Sequence, residues 1–190
     1  MGRERVTPED PGGPEPADEP ADADPLEVAR EIALRRLDQR AHTRAELRAA
    51  LVARGTPEAV AEELLGRLEG VRLVDDAAFA ASWAQSRHGV RHLSRRAVAG
   101  ELRAKGVDPA LVEQATAAID DDSERAAAAA VAATKRRALA GLPYAVAYRR
   151  LSGVLARKGY GAGVVLDVVR AALAEWSGDA EGEDETEDTP

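Results

Sequence analysis

Leucine, valine and alanine recur along this chain at steps of three and four residues, the period of a helix that buries one face. Three segments repeat the pattern in register: ELRAALVARG at 46–55, VAGELRAKG at 98–106 and RLSGVLARKG at 150–159. Their closing glycines, Gly55, Gly106 and Gly159, lie 51 and 53 residues apart. Eight positions before these glycines stand Leu47, Val98 and Leu151, and four before them Leu51, Leu102 and Leu155. Five positions after come Val60, Leu111 and Val164, and nine after come Leu64, Ala115 and Val168. A fixed period of this size means stacked copies of one supersecondary unit, each burying its apolar face on a neighbour. The pattern predicts an all-α chain of three tandem three-helix repeats, at 26–70, 71–120 and 121–176, forming an elongated, curved array. No segment alternates as a strand would.

Start and stop signals place nine helices. The first spans about 26–40, with Leu26, Ala29, Ala33, Leu34 and Leu37 on one face. Thr43 and Glu46 form a capping-box pattern for the second. Gly55 ends that helix where left-handed backbone suits a residue without a Cβ. Thr56 is then read as the cap of the third helix, with Pro57 in its first position. The second repeat reuses the device: Gly106 stops one helix, Asp108 caps the next and Pro109 starts it. Asp75 and Asp76 open the fourth helix at the positive end of its dipole. Phe79 and Trp83, four apart on that helix, share a face and are assigned to repeat packing, with exposure of Trp83 for binding as the lesser alternative. The seventh helix, roughly 123–138, holds five consecutive alanines and ends in Lys135, Arg136 and Arg137. The eighth starts at Pro143 and the ninth covers about 161–176.

Charge adds a second layer. The formal net charge is −8, yet residues 1–25 carry −6 and residues 175–190 carry −8, which leaves +6 on 26–174. Segments 1–25 and 177–190 are too polar to bury a core and are read as disordered acidic tails. A basic body between acidic tails suits a partner that is, or carries, nucleic acid. The same tails would serve equally well for solubility alone. The 23 Arg against three Lys, beside abundant Ala, are explained by coding composition and carry no weight of their own. No cysteine is present, so disulfides and thiolate metal sites are excluded. No apolar run approaches a membrane span and no leader pattern opens the sequence, so a soluble cytoplasmic protein is expected.

Catalytic chemistry finds little footing. His88 and His92 have a spacing that could ligate a metal, but Arg87 and Arg91 interleave them and no carboxylate cluster follows. No phosphate-cradling glycine loop, nucleophile elbow or HExxH helix occurs. No enzyme, cofactor or metal is therefore expected. What remains is clustered positive charge: Arg87, Arg91, Arg95 and Arg96 around one helix link, Lys135, Arg136 and Arg137 at another, and Arg149 and Arg150 on the eighth helix. At 87–96 and 135–137 several like charges crowd without acidic neighbours, and the basic clusters are the candidate contacts to phosphates or to an acidic protein face. The base before each repeat glycine (Arg54, Lys105, Lys158) is read as a helix-dipole partner. With few aromatics nearby, base stacking is not the expected mode.

The run LVDDAAFAASWAQSR, followed by SRRAVAGELRAKGVD, resembles the signature of the RecX proteins, bacterial modulators of the RecA recombinase. The matching residues are Asp75, Asp76, Phe79, Ala80, Trp83, Arg87, Arg96, Glu101, Leu102, Lys105 and Gly106, and the resemblance extends over about 26–175. One departure is His92, where a small residue such as glycine is expected after the Arg. The resemblance implies three tandem three-helix repeats. It also implies a monomeric protein that binds RecA and the RecA–single-stranded DNA filament in its groove, with weak direct DNA binding. Inhibition of strand exchange, ATP hydrolysis and co-protease activity would follow, touching DNA repair and the SOS response. The rival expectation is a helix-turn-helix DNA-binding protein acting as a transcriptional regulator, which would need a concentrated recognition helix.

Overall fold

Nine α-helices are present among residues 24–176, the residues that the computed structural model describes: α1 (Pro25–Leu37), α2 (Arg44–Val52), α3 (Glu58–Gly70), α4 (Asp76–Ala84), α5 (Arg95–Ala104), α6 (Pro109–Thr116), α7 (Asp121–Arg136), α8 (Tyr144–Arg157) and α9 (Ala162–Ala172). A π-helical turn, Gln85–Val90, extends α4, and a 3₁₀ turn, Arg137–Leu139, extends α7. No strand occurs among the described residues. The expected acidic tails fall outside them, except for Asp24 and Pro25.

The helices gather into three separate cores. Leu47, Leu51, Leu64 and Leu65 centre the first. Phe79, Val98, Leu102 and Val112 centre the second. Leu151, Leu155, Tyr160 and Val169, with the alanine face of α7, centre the third. The apolar positions that repeat around the three glycines supply the largest fully buried side chains, including Leu47, Leu51, Leu102, Leu151 and Leu155. The apolar faces expected to bury on neighbouring repeats instead meet within each three-helix unit, where burying one such leucine contributes roughly 1.5–3 kcal/mol.

Local signals behave as their chemistry requires, with two exceptions. Gly55, Gly106 and Gly159 take φ of 84°, 76° and 91°. Each closes the same stop motif, in which the residue after the glycine donates to the buried leucine five positions earlier: Thr56 to Leu51, Val107 to Leu102 and Tyr160 to Leu155. Thr56, expected to cap α3, lies one residue too early: its N–H completes the stop and the helix begins at Glu58. Pro57 occupies the cap position and α3 starts without a side-chain cap. The helix ends are also earlier than expected. Asp38–Arg40 form a turn after α1, and beyond α9 Trp176 folds back to donate its indole N–H to the Leu142 carbonyl at 2.9 Å.

The repeats are joined by a contact made twice. Capping leaves orphan N–H groups in the first turn of a helix, and in α2 and α5 the next repeat satisfies one of them. In the first joint the Arg44 N–H donates to Asp76 Oδ1 at 2.9 Å. Thr43 Oγ1 donates to the Lys105 carbonyl at 2.7 Å, and Lys105 Nζ reaches Glu46 at 2.7 Å. In the second joint the Arg95 N–H donates to Glu124 Oε1 at 2.9 Å and the Ser94 N–H to the Lys158 carbonyl at 3.1 Å. Gly106 and Gly159 lie in these joints. A Cβ on Gly106 would stand 2.4 Å from the Ala45 Cβ, and one on Gly159 would stand 2.6 Å from Ser94 Oγ and 2.7 Å from the Ala97 Cβ. Gly55, with no repeat before it, meets nothing within 4 Å. Lys105 and Lys158 therefore hold repeats together in addition to any helix-dipole role.

Candidate functional site

The second joint opens into a cleft of about 500 Å³ that brings two of the basic clusters together. Arg91, His92, Lys135 and Lys158 line it, with Glu101 as the acid, and Val90, Leu93, Val131 and Thr134 complete the wall. Local structure explains how Arg91 reaches this place. The π-helical turn widens the end of α4, a form that occurs mostly as single turns and frequently at functional sites. His92 then takes φ 51°, in the left-handed region where glycine is at ease, which accounts for the small residue expected there. Two groups from repeat 3 hold the strained turn: Lys158 Nζ donates to the Arg91 carbonyl and Tyr160 Oη to the His92 carbonyl at 2.9 Å. Burial, and then the nearby Glu124, push the Tyr160 phenol up to about 12, so it remains a donor at neutral pH. His88 Nδ1 lies 2.8 Å from the Leu93 carbonyl, so this imidazole also serves the turn.

The predicted basic residues divide by what they touch. Arg91, Lys135, Arg136 and Arg137 are exposed, and no carboxylate among the described residues pairs with their side chains. Arg149 and Arg150 are exposed on α8 and are not among the residues lining the cleft. The other three have partners on the protein itself, Arg87 half-buried and Arg95 and Arg96 exposed. Arg87 lies 4.0 Å over the Trp83 ring and 2.9 Å from Glu101, an ionic contact whose N–H is not aligned for a hydrogen bond. Arg95 donates to the Ile119 carbonyl at 3.3 Å and stands 3.7 Å from Asp121. Arg96 donates to the Gly159 carbonyl at 3.2 Å. The 87–96 cluster therefore does have acidic neighbours, Glu101, Asp121 and Glu124, contributed by α5 and α7.

The signature residues form a second unit at the first joint. Asp75 caps α4 through the Ala78 N–H at 2.8 Å, whereas Asp76 turns away to the Arg44 N–H. Burial raises the Asp76 carboxyl above its usual range against the pull of that N–H. Phe79 is buried and stacks on Trp83 with centroids 5.5 Å apart. Lys105 sits 4.4 Å from the Trp83 ring, and the indole N–H donates to Glu101 at 2.8 Å. Leu102 is fully buried beneath them. Burial pushes the Glu46 carboxyl up, but bonds from Lys105, Arg40 and the Thr43 N–H outweigh it and hold it at about 2. His42, buried beside Arg40, is held below its ordinary value, first by burial and then by that guanidinium. Glu124 and Tyr160 were not distinguished by sequence reasoning, and Glu46 was read only as part of a capping box, because the bonds to Arg95, His92 and Lys105 each reach into another repeat.

Among the described residues no helix is long and apolar enough to cross a membrane, and no three His, Cys, Asp or Glu side chains gather as a metal site would require. The family model described as RecX, first three-helix domain, matches residues 29–68, and that described as RecX, second three-helix domain, matches residues 75–115. The chain is 49% identical over 161 residues to the regulatory protein RecX of Streptomyces coelicolor, covering 85% of this chain and 83% of that one. It is 46% identical over 149 residues to the regulatory protein RecX of Mycobacterium ulcerans, covering 78% and 86%. The crystal structure of RecX from Lactobacillus salivarius shares the fold with a TM-score of 0.69 at 18% identity, covering 78% of this chain and 97% of that one. By its sequence and by the order of its three-helix domains, the chain belongs to the RecX family.

Proposed function

We propose that this protein regulates RecA: it binds the recombinase and its single-stranded DNA filament and inhibits strand exchange, ATP hydrolysis and co-protease activity. The observation that carries the reading is family membership across 85% of the chain, with relatives named as regulatory proteins. The order of the repeats supports a mode of action within this reading. Repeats joined in series offer successive surfaces to a partner that is itself periodic, and simultaneous contacts to adjacent filament protomers gain from multivalency. The cleft holding Arg91, Lys135 and Lys158 is the candidate contact to acidic side chains or phosphates. The protein acts as a monomeric, cytoplasmic binding module, without chemistry of its own.

The helix-turn-helix alternative is less well supported. A recognition helix, the second of such a pair, presents polar N-terminal residues to base edges, whereas the first turns of α3, α6 and α9, the helices that follow the three glycines, carry no Arg, Lys, Asn or Gln. Titrating the protein into cognate RecA during ATP hydrolysis and strand exchange tests the proposal. Both activities are expected to fall as the protein is added. Unchanged rates at equimolar protein would overturn it.

A further inference from the structure

The C-terminal edge of repeat 3 sets an exposed basic turn beside the point where the described chain ends. Trp176 is fixed there by its indole bond to the Leu142 carbonyl. Together with Glu175 it lines a cleft of about 450 Å³ whose other wall carries Arg136 and Arg137. Residues 177–190 continue from that point with seven acidic side chains and no basic one. The first of them, Asp179, is three residues beyond Trp176, within about 10 Å at roughly 3.3 Å per extended residue. An anionic segment is thus tethered within reach of three consecutive cations that no described carboxylate neutralises. A short tether gives an effective concentration on the order of millimolar, enough for ion pairs that would be weak between separate molecules.

We propose that residues 177–190 seat on the Lys135–Arg137 turn and compete there with an external anionic partner. Lys135 also lines the cleft between repeats 2 and 3, so a seated tail covers one edge of that surface. The seating stands on the geometry of repeat 3 alone, while the competition rests on the proposed regulatory function.

The chain has no cysteine, so Thr186→Cys gives the full-length protein a single attachment point for a nitroxide. At ionic strength of about 0.01 M, where charges act over roughly 30 Å, the label should broaden the amides of residues 133–141. At about 1 M salt, where the range falls to roughly 3 Å, the broadening should vanish. Arg136→Gln with Arg137→Gln should abolish it at low salt, as should replacing the seven tail acids by their amides. Broadening that is absent, that falls on another surface, or that survives the arginine changes would overturn the seating. For the competition, the amide tail should raise affinity for a single-stranded oligonucleotide by at least about threefold at low salt, with the gain absent when Arg136 and Arg137 are changed. No gain, or a gain independent of those arginines, would overturn the competition even where the seating is confirmed.

Discussion

Replacing the repeat glycines by alanine separates two effects that normally occur together. An alanine at positive φ costs about 1–2 kcal/mol wherever it stands. For Gly55→Ala that is the whole cost, because an added Cβ meets nothing within 4 Å. At Gly106 the new Cβ would lie 2.4 Å from the Ala45 Cβ, and carbon atoms pack at about 3.5–4.0 Å. The joint must therefore open by more than about 1 Å, and overpacking of this kind costs a further 1–3 kcal/mol, roughly. Gly159→Ala meets Ser94 and Ala97 in the same way. The expected losses are about 1–2 kcal/mol for Gly55→Ala and about 2–5 kcal/mol for each of the other two, read from urea denaturation. Hydrogen exchange locates the damage. The Arg44 amide, bonded to Asp76, should exchange faster in Gly106→Ala, and the Ser94 and Arg95 amides in Gly159→Ala. Equal losses at all three glycines, with joint amides unchanged, would show that backbone strain alone matters and that the joints are not tightly packed.

Phe79→Ala removes a buried ring stacked on Trp83 and should cost roughly 3–5 kcal/mol. An unchanged melting temperature would mean that the stack is not part of the core. Glu46, held at about 2 against an ordinary 4.5, contributes stability that is fully present above pH 4.5 and is lost as the pH falls toward 2. Partial exposure reduces that contribution to on the order of 1–2 kcal/mol. Urea melts should show Glu46→Gln trailing the parent at pH 7, with the gap narrowing below pH 4.5 and closing only near pH 2, and a constant difference would contradict the assignment. Arg96→Gln, losing its bond to the Gly159 carbonyl, should cost about 0.5–1.5 kcal/mol, whereas Arg91→Gln should stay within about 0.5 kcal/mol of the parent. If the two variants are equally stable, the division between engaged and free arginines fails.

The helices and the three stop motifs were legible because their determinants are local. A glycine, the leucine four positions before it and a cap all lie within one or two turns of chain. Thr56 shows where that legibility ends: a threonine before a proline suits a cap, yet Thr56 belongs to the stop and α3 starts one residue later than the pattern places it. The joints were not legible, since Arg44 to Asp76, Arg95 to Glu124 and His92 to Tyr160 span 32, 29 and 68 positions. Asp75 and Asp76 look alike in sequence, yet one caps its own helix and the other that of the preceding repeat. The basic clusters were visible as composition, but sequence adjacency could not separate Arg91 from Arg87, Arg95 and Arg96. Their carboxylate and carbonyl partners come from other helices.

The cleft between repeats 2 and 3 is proposed to hold the protein to the RecA–DNA filament. The most direct measurement compares the parent with Arg91→Glu plus Lys135→Glu, recording filament binding across a salt series and inhibition of RecA ATP hydrolysis. Both substitutions are at exposed positions, so circular dichroism should be unchanged. If the two cations meet phosphates, the slope of log affinity against log salt should flatten by about 2. The variant should then need at least about tenfold more protein for equal inhibition, a loss of roughly 1.4 kcal/mol. A variant that binds and inhibits like the parent at every salt concentration would contradict the claim.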